Sequence, residues 1–270
     1  MIEKVNKITL VILTQQRDET LERLKELELF HIKSLGHESH DYLDSLMAYE
    51  SLQSAVHGLQ SYKFSSTVSV KTFESNSPAQ LAEAALSRLQ SVEGDQEDLY
   101  QLEMEREKIA VWGHFSPEQV SELRGKGLGI ELCVTSEEDY APDQLPEGSF
   151  VQEIKREAGQ VYFVILSTTA IDETIPKLPL PQRSLAECEE GIQDLKAKIQ
   201  ACQNELKQIA QLDYKLQEAL VERGNACDHI MAGDSFSAHG PLEVLEGYVP
   251  AGRMEELKAE ALKTGWALQS

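Results

Sequence analysis

Positive charge is in short supply in this sequence. Its 25 lysines and arginines stand against 46 aspartates and glutamates, for a formal net charge of −21 over 270 residues. A surface so biased repels nucleic-acid phosphates and anionic lipid head groups. That excludes both as partners and leaves basic surfaces as the charge-driven ones. Aromatic residues are scarce at 6 %, which suits helices packed on Leu, Ile and Ala. No apolar run approaches the roughly 18 residues needed to span a bilayer. The longest candidates, ITLVILT and VYFVILSTTAI, read as strands. The N-terminus MIEKVNKITLVILTQQRDE has too short an apolar core, and no small-residue cleavage site, to be a secretory signal. The four cysteines, Cys133, Cys188, Cys202 and Cys227, form no CxxC pair. Free thiols in a reducing compartment are the expectation.

Catalytic signatures are missing too. His37 and His40 in GHESH have the spacing HExH, not the HExxH that sets two imidazoles one helical turn apart beside a catalytic Glu. They read as a polar helix start. GKGLG (residues 125–129) has neither P-loop nor Rossmann spacing and reads as a helix cap and turn. No GxSxG elbow occurs, and the acidic runs EGDQED and EEDYAPD read as solvated faces or loops. No carboxylate pair stands in an apolar setting that would signal a raised pKa. The expectation is a scaffold with no cofactor, metal or small-molecule ligand, not an enzyme.

What is present is order at the two ends and long helices between. Residues 4–13 form a β-branched strand, residues 17–29 an amphipathic helix on Leu21, Leu24 and Leu27 or Leu29, and FHIKSL (residues 30–35) a second short strand. A helix follows over 41–62, and TVSVKTF (residues 67–73) has the character of an edge strand. Ser77, Pro78 and Gln80 make a capping box that opens a helix to about Val111, with Gly94 an unfavourable interruption. Ser116, Pro117 and Gln119 repeat that signature before the strand GIELCV and a hairpin turning near Ala158-Gly159. PKLPLPQRS is an extended exit. Ser184 and Glu187 then cap the strongest signal in the chain. Leu185, Cys188, Ile192, Leu195, Ile199, Cys202, Leu206 and Ile209 alternate at spacings of three and four, which is a heptad seam. The pattern slips phase after Ile209 and runs on to about Ile230, a helix of about 70 Å at ~1.5 Å per residue. Last comes LEGYVPAGRMEELKAEALKTGWAL (residues 245–268), a strand, turn, helix and strand.

Each apolar stripe must be buried, so the helices over 77–111 and 184–232 are expected to pack antiparallel. The expected fold class is α+β: a long antiparallel helical hairpin, or coiled-coil bundle, capped at both ends by small ferredoxin-like α/β lobes. The proximal lobe takes residues 1–76, whose helix 41–62 packs on the bundle, together with 240–270. The distal lobe takes residues 112–183. The strands of the C-terminal segment then find their partners in the N-terminal β-α-β unit. Trp112 and Phe115, at the junction of helix and distal lobe, read as plugs for the base of that lobe.

Three segments in order carry a family resemblance that covers essentially the whole chain. WGHFSPEQVSELRGKGLGIELCV, with Trp112, Gly113 and Phe115, resembles the Trp-Gly segment after the first long helix of the cytoplasmic half of subunit I of V-type and archaeal A-type ATPases, called subunit a in eukaryotes. Glu246, Gly247, Tyr248, Val249 and Pro250 resemble that family's Glu-Gly-Trp/Tyr-Val-Pro segment, and the opening strand and helix resemble its start. Val111 stands where many members have Pro. The resemblance implies a non-catalytic stator domain of an ion-transporting complex on the cytoplasmic side of a membrane. Peripheral stalks of subunits E and G would be received at the two lobes, and central-stalk or C-type subunits are further possible neighbours. It also implies a continuation into a transmembrane half that carries the proton path. That half is absent from this sequence, which suggests an excised domain. From the residues alone, a coiled-coil adaptor with α/β ends and no connection to a rotary ATPase is the alternative.

Overall fold

The computed structural model describes residues 4–33, 39–63, 72–142, 148–169 and 175–269. The chain divides into two compact units, one of residues 1–87 with 206–270 and one of residues 88–205.

In the first unit, strand β1 (Val5–Leu13) leads through a 3-10 turn into helix α1 (Arg17–Leu27) and the short strand β2 (His31–Ile32). Helix α2 (His40–Gly58) starts where the Ser39 side chain accepts a hydrogen bond from the Tyr42 amide. A 3-10 turn over Leu59–Tyr62 extends it. TVSVKTF falls mostly in 64–71, outside the described residues. From the other end of the sequence, strands β7 (Phe236–His239) and β8 (Leu242–Pro250), helix α7 (Met254–Thr264) and strand β9 (Ala267–Gln269) join the same sheet. Its order is β2-β8-β1-β9, all antiparallel, with β7 also on β8. The β1–β8 pairing runs from Val5↔Pro250 to Leu13↔Leu242. So the C-terminal segment closes the N-terminal β-α-β unit. The alternation of β1 sends Ile8, Leu10 and Ile12 inward, where they meet Leu245 and Val249 of β8, Leu24 of α1, and Leu257, Ala261 and Trp266. Both helices therefore cover one face, and Lys7, Glu246 and Tyr248 lie on the other.

In the second unit, helix α4 (Pro117–Gly125) precedes strands β3 (Gly129–Ser136), β4 (Ser149–Glu157), β5 (Gln160–Ser167) and β6 (Lys177–Leu178), in the order β4-β5-β3-β6. Ala158 and Gly159, at φ 53° and 75°, make the tight turn of the β4–β5 hairpin. The extended exit contributes β6 to the sheet edge. Among the described residues only one helix lies between these strands and the long helices, so this lobe departs from the β-α-β-β-α-β order expected of it.

Helix α3 (Pro78–Ala110) and helix α5 (Leu185–Ala210) each contribute residues to both units. The Ser77/Gln80 capping box is formed, with reciprocal bonds of 2.9 and 3.3 Å. So is that of Ser184 and Glu187, at 2.7 and 3.2 Å. In the second unit four ion pairs fix the direction of packing. Arg88 meets Glu205, Asp95 meets Lys198, Glu103 meets Lys196 and Glu105 meets Arg183. One series rises as the other falls, so α3 and α5 are antiparallel there.

The segment 184–232 is not one helix. Helix α5 ends at Ala210, and helix α6 (Asp213–Asp234) begins after a turn in which the Leu212 amide bonds to Ile209 O at 2.9 Å. The break sits where the heptad pattern slips phase. Leu212 and Leu216 are buried on the new phase, and α6 takes α2 as its neighbour. Asp213, in the first turn, suits the positive end of the α6 dipole and pairs with Lys63 at 2.7 Å.

Candidate functional site

The five residues of the Glu-Gly-Tyr-Val-Pro segment each have a separate structural task in the first unit. Glu246 stands on the open face of the sheet between Lys7 and Lys33, at 3.0 and 2.8 Å. The hydrogen bonds from Lys33, then Lys7, hold its carboxyl below the usual range. Gly247 faces inward opposite Ile32 of β2. A Cβ there would lie 2.3 Å from the Phe30 ring and 2.6 Å from the His31 carbonyl oxygen. This glycine is needed for close approach, not for a left-handed backbone. Tyr248 presents its ring on the open face at 37 % exposure. Val249 is fully buried in the core, and Pro250 ends the ladder opposite Val5, after which the Ala251 amide bonds to Lys4 O at 2.9 Å.

The Trp-Gly segment does the same for the second unit. The Trp112 and Gly113 amides bond to Ile109 O and Ala110 O, and Gly113 takes φ 75°, so the pair closes α3 with a left-handed glycine. The indole then stands edge-on to Tyr162 of β5, centroids 5.7 Å apart at 78°. Phe115 packs on Ile109, Leu185 and Cys188. Beside Trp112 is an open groove of about 800 Å3 whose walls include Met104, Val111, Tyr162, Leu178 and Leu180.

Of the heptad series, Leu185, Cys188, Ile192, Ile199, Leu206 and Ile209 are buried, and Leu195 and Cys202 are half-buried. All four cysteines are free. Burial pushes the Cys133 thiol up to about 11 and also raises that of Cys188, so both stay protonated at neutral pH and are poor nucleophiles. His40 pairs with Asp44 at 3.3 Å on an exposed turn, while His37 lies outside the described residues. Among the described residues no group of His, Cys, Asp or Glu is arranged to hold a metal ion, and no helix is long and apolar enough to cross a membrane.

The structure corrects one reading of the acidic runs. Asp95, in EGDQED, is buried at 6 % exposure and bonds to Lys198 at 2.6 Å. Glu243 and Glu260 are buried as well. Glu260 is held by Arg23 at 2.5 Å and by Lys263, which keep its carboxyl low. Glu243 faces Arg17 at 3.7 Å, while Arg17 also bonds to Gly233 O and lies over the Phe236 ring. Arg17 thus ties α1, the end of α6 and two strands together. Apart from Lys263, three residues from Glu260, the cation of each pair is over 100 residues away from its carboxylate in sequence, so no local pattern announces these three.

No family model matches the chain. A curated relative, V-type ATP synthase subunit I of Borreliella burgdorferi, is 24 % identical over 278 residues, covering 100 % of this chain and 44 % of its own length. This chain is similar to V-type ATP synthase subunit I. A solved structure, the crystal structure of the cytoplasmic N-terminal domain of subunit I, homolog of subunit a, of V-ATPase, covers 97 % of this chain and 99 % of its own, with a TM-score of 0.39 and 15 % identity. The chain spans less than half the length of the Borreliella relative.

Proposed function

We propose that this chain is a non-catalytic stator domain of a rotary V-type or A-type ATPase. In this role it joins peripheral stalks of E and G subunits to a membrane half that moves ions while the catalytic head turns over ATP. The observation that carries the reading is the similarity to a subunit I along the whole chain. It is supported by where the resembling segments fall. Glu246–Pro250 and Trp112–Phe115 occupy positions that join each unit's sheet to its neighbouring elements, as residues kept for a fold would. A stator must transmit torque without bending, and a cross-linked antiparallel helix pair suits that task. The sheet of the first unit, with two helices on one face and strand order β2-β8-β1-β9, is read as a ferredoxin-like lobe whose open face is available to a stalk. The adaptor alternative gains no support from any relative found.

The test is titration of the purified chain with an E/G heterodimer from the same organism, followed by calorimetry. A one-to-one or one-to-two complex with Kd in the micromolar range is expected, which corresponds to about −7 to −8 kcal/mol. Absence of heat and of co-migration at tens of micromolar overturns the reading.

A further inference from the structure

We propose that the solvent face of α3, with the groove into which it leads, is a docking site for a basic amphipathic helix of a partner protein. The proposal goes beyond the stator reading and does not depend on it. It starts from a pattern on α3 distinct from the face buried against α5. Glu93, Glu97, Tyr100, Met104, Glu107 and Val111 follow one another at spacings of four, three, four, three and four. That is the spacing a facing helix reads. Yet all of them but Val111, half-buried in the turn just after α3, are exposed. Tyr100 is 61 % and Met104 37 % exposed, and the three glutamates are exposed too. At its C-terminal end the stripe runs into the groove, where Trp112, Tyr162, Leu178 and Leu180 offer apolar walls.

The occupant follows from charge. Glu105 is paired with Arg183 and Glu103 with Lys196. The side chains of Glu93, Glu97 and Glu107, by contrast, have no ion pair or hydrogen bond with a described residue. Lys108 is the cation on the groove wall, against three carboxylates on the stripe. A helix carrying apolar residues at heptad spacing, flanked by Lys or Arg, would bury Tyr100 and Met104 and neutralise these carboxylates. The second copy of this chain that could lie on the stripe is itself acidic, so like charges would oppose it. From Glu93 to Val111 the stripe has room for a helix of about 27 Å at ~1.5 Å per residue. Trp112, half-buried at the end of the stripe, is the kind of aromatic on which such contacts concentrate their energy.

The test uses the full chain and a fluorescein-labelled helical peptide of about five turns, with leucine at heptad positions and lysine flanking them, read by anisotropy near physiological salt. Binding in the tens of micromolar is expected, weakened at least about tenfold by Met104→Asp and by the pair Glu97→Lys and Glu107→Lys. Met104→Leu should retain it. These positions are exposed, so the variants should keep the parent's circular dichroism and melting temperature. Tyr214→Asp and Glu222→Lys, which alter an exposed aromatic and an exposed glutamate on α6, serve as controls and should leave binding unchanged. Equal weakening by the controls would mean non-specific charge attraction and overturns the proposal. So does absence of binding at about 200 μM. Self-association of the chain that Met104→Asp abolishes would make a second copy the occupant and overturns it as well.

Discussion

Replacing Gly247 by alanine separates two explanations of the Glu-Gly-Tyr-Val-Pro segment by sign. Glycine in a strand interior is unfavourable, so alanine at an open site there would stabilise by about 0.5–1 kcal/mol. Gly247 is not at an open site. The added Cβ would lie 2.3 and 2.6 Å from two atoms of the Phe30 ring and 2.6 Å from the His31 carbonyl oxygen. The ring can rotate away at the cost of its packing in the core, but the carbonyl belongs to β2, which is paired with β8 at this very position. Relief therefore requires β2 to part from the sheet. Overpacking of this kind costs about 1–3 kcal/mol, enough to reverse the intrinsic gain. With mid-range values the net cost is about 1.2 kcal/mol, so at roughly 2–4 °C per kcal/mol for a chain of this size Gly247→Ala should lower the melting temperature by about 2–5 °C. Amide exchange should rise selectively at His31, Ile32 and Lys33. The double variant Gly247→Ala with Phe30→Ala sharpens the test. It removes the ring contact but leaves the carbonyl contact, so it should recover part of the exchange protection lost on β2 and not all. A melting temperature equal to or above that of the parent would refute the close-approach argument and return Gly247 to an incidental glycine.

Other consequences are more local. Ile199→Asp buries an unpaired carboxylate at a position 8 % exposed and should cost about 3–5 kcal/mol by urea unfolding. Leu195→Asp, at a half-buried position, should cost less, and the reverse ranking would contradict the α3–α5 packing. In thiol labelling at neutral pH, Cys202 should react first. Cys133, Cys188 and Cys227 are buried and should stay protected until unfolding, which mass spectrometry of labelled peptides can follow. The carboxyl of Glu246 is held low by Lys33 and Lys7. Its contribution to stability is therefore present above the ordinary Glu value near pH 4.3 and is lost as pH falls through the lowered folded value. Lys33→Ala should move that titration upward in an NMR pH series, and an unchanged midpoint would dissolve the proposed ion cluster.

Much of the fold was legible because its signals are local or leave a remainder. Capping boxes at Ser77 and Ser184 lie within three residues of what they cap, so the starts of α3 and α5 could be read directly. The strand that opens the segment from Leu245 could be assigned to the N-terminal unit because the long helical stretch before it shows no strand signal, although β7, which pairs with β8 just ahead of it, went unread. Less legible was the break at Gln211-Leu212. A phase slip in a heptad fits a stutter in one helix as well as a new helix with a new neighbour, and only the packing of α6 on α2 decides. The buried carboxylates were invisible for a different reason. Asp95 looks solvated inside EGDQED until Lys198 is placed beside it, and that pairing exists only because α3 and α5 run antiparallel. The groove beside Trp112 needs α3, β5 and the extended exit all placed before it can be seen.

The Trp-Gly and Glu-Gly-Tyr-Val-Pro segments have folding tasks, and that bears on where contacts should be sought. Gly247 is fixed by the approach of Phe30 and β2, Val249 by the core, Pro250 by the end of the ladder and Gly113 by the turn that closes α3. Each of these tasks is internal to the fold and does not depend on what the chain binds. Docking surfaces obey a different constraint. They need exposure and complementarity to one partner, and they can change as the partner changes. The stripe of Glu93, Glu97, Tyr100, Met104, Glu107 and Val111 meets that description and reaches the Trp-Gly segment at its end, where Trp112 walls the groove. Its spacing is that of a packed seam, but three of its six residues are glutamates. Its exposure, together with carboxylates that have no cation opposite them, turns the same spacing into a reason to expect a missing helix.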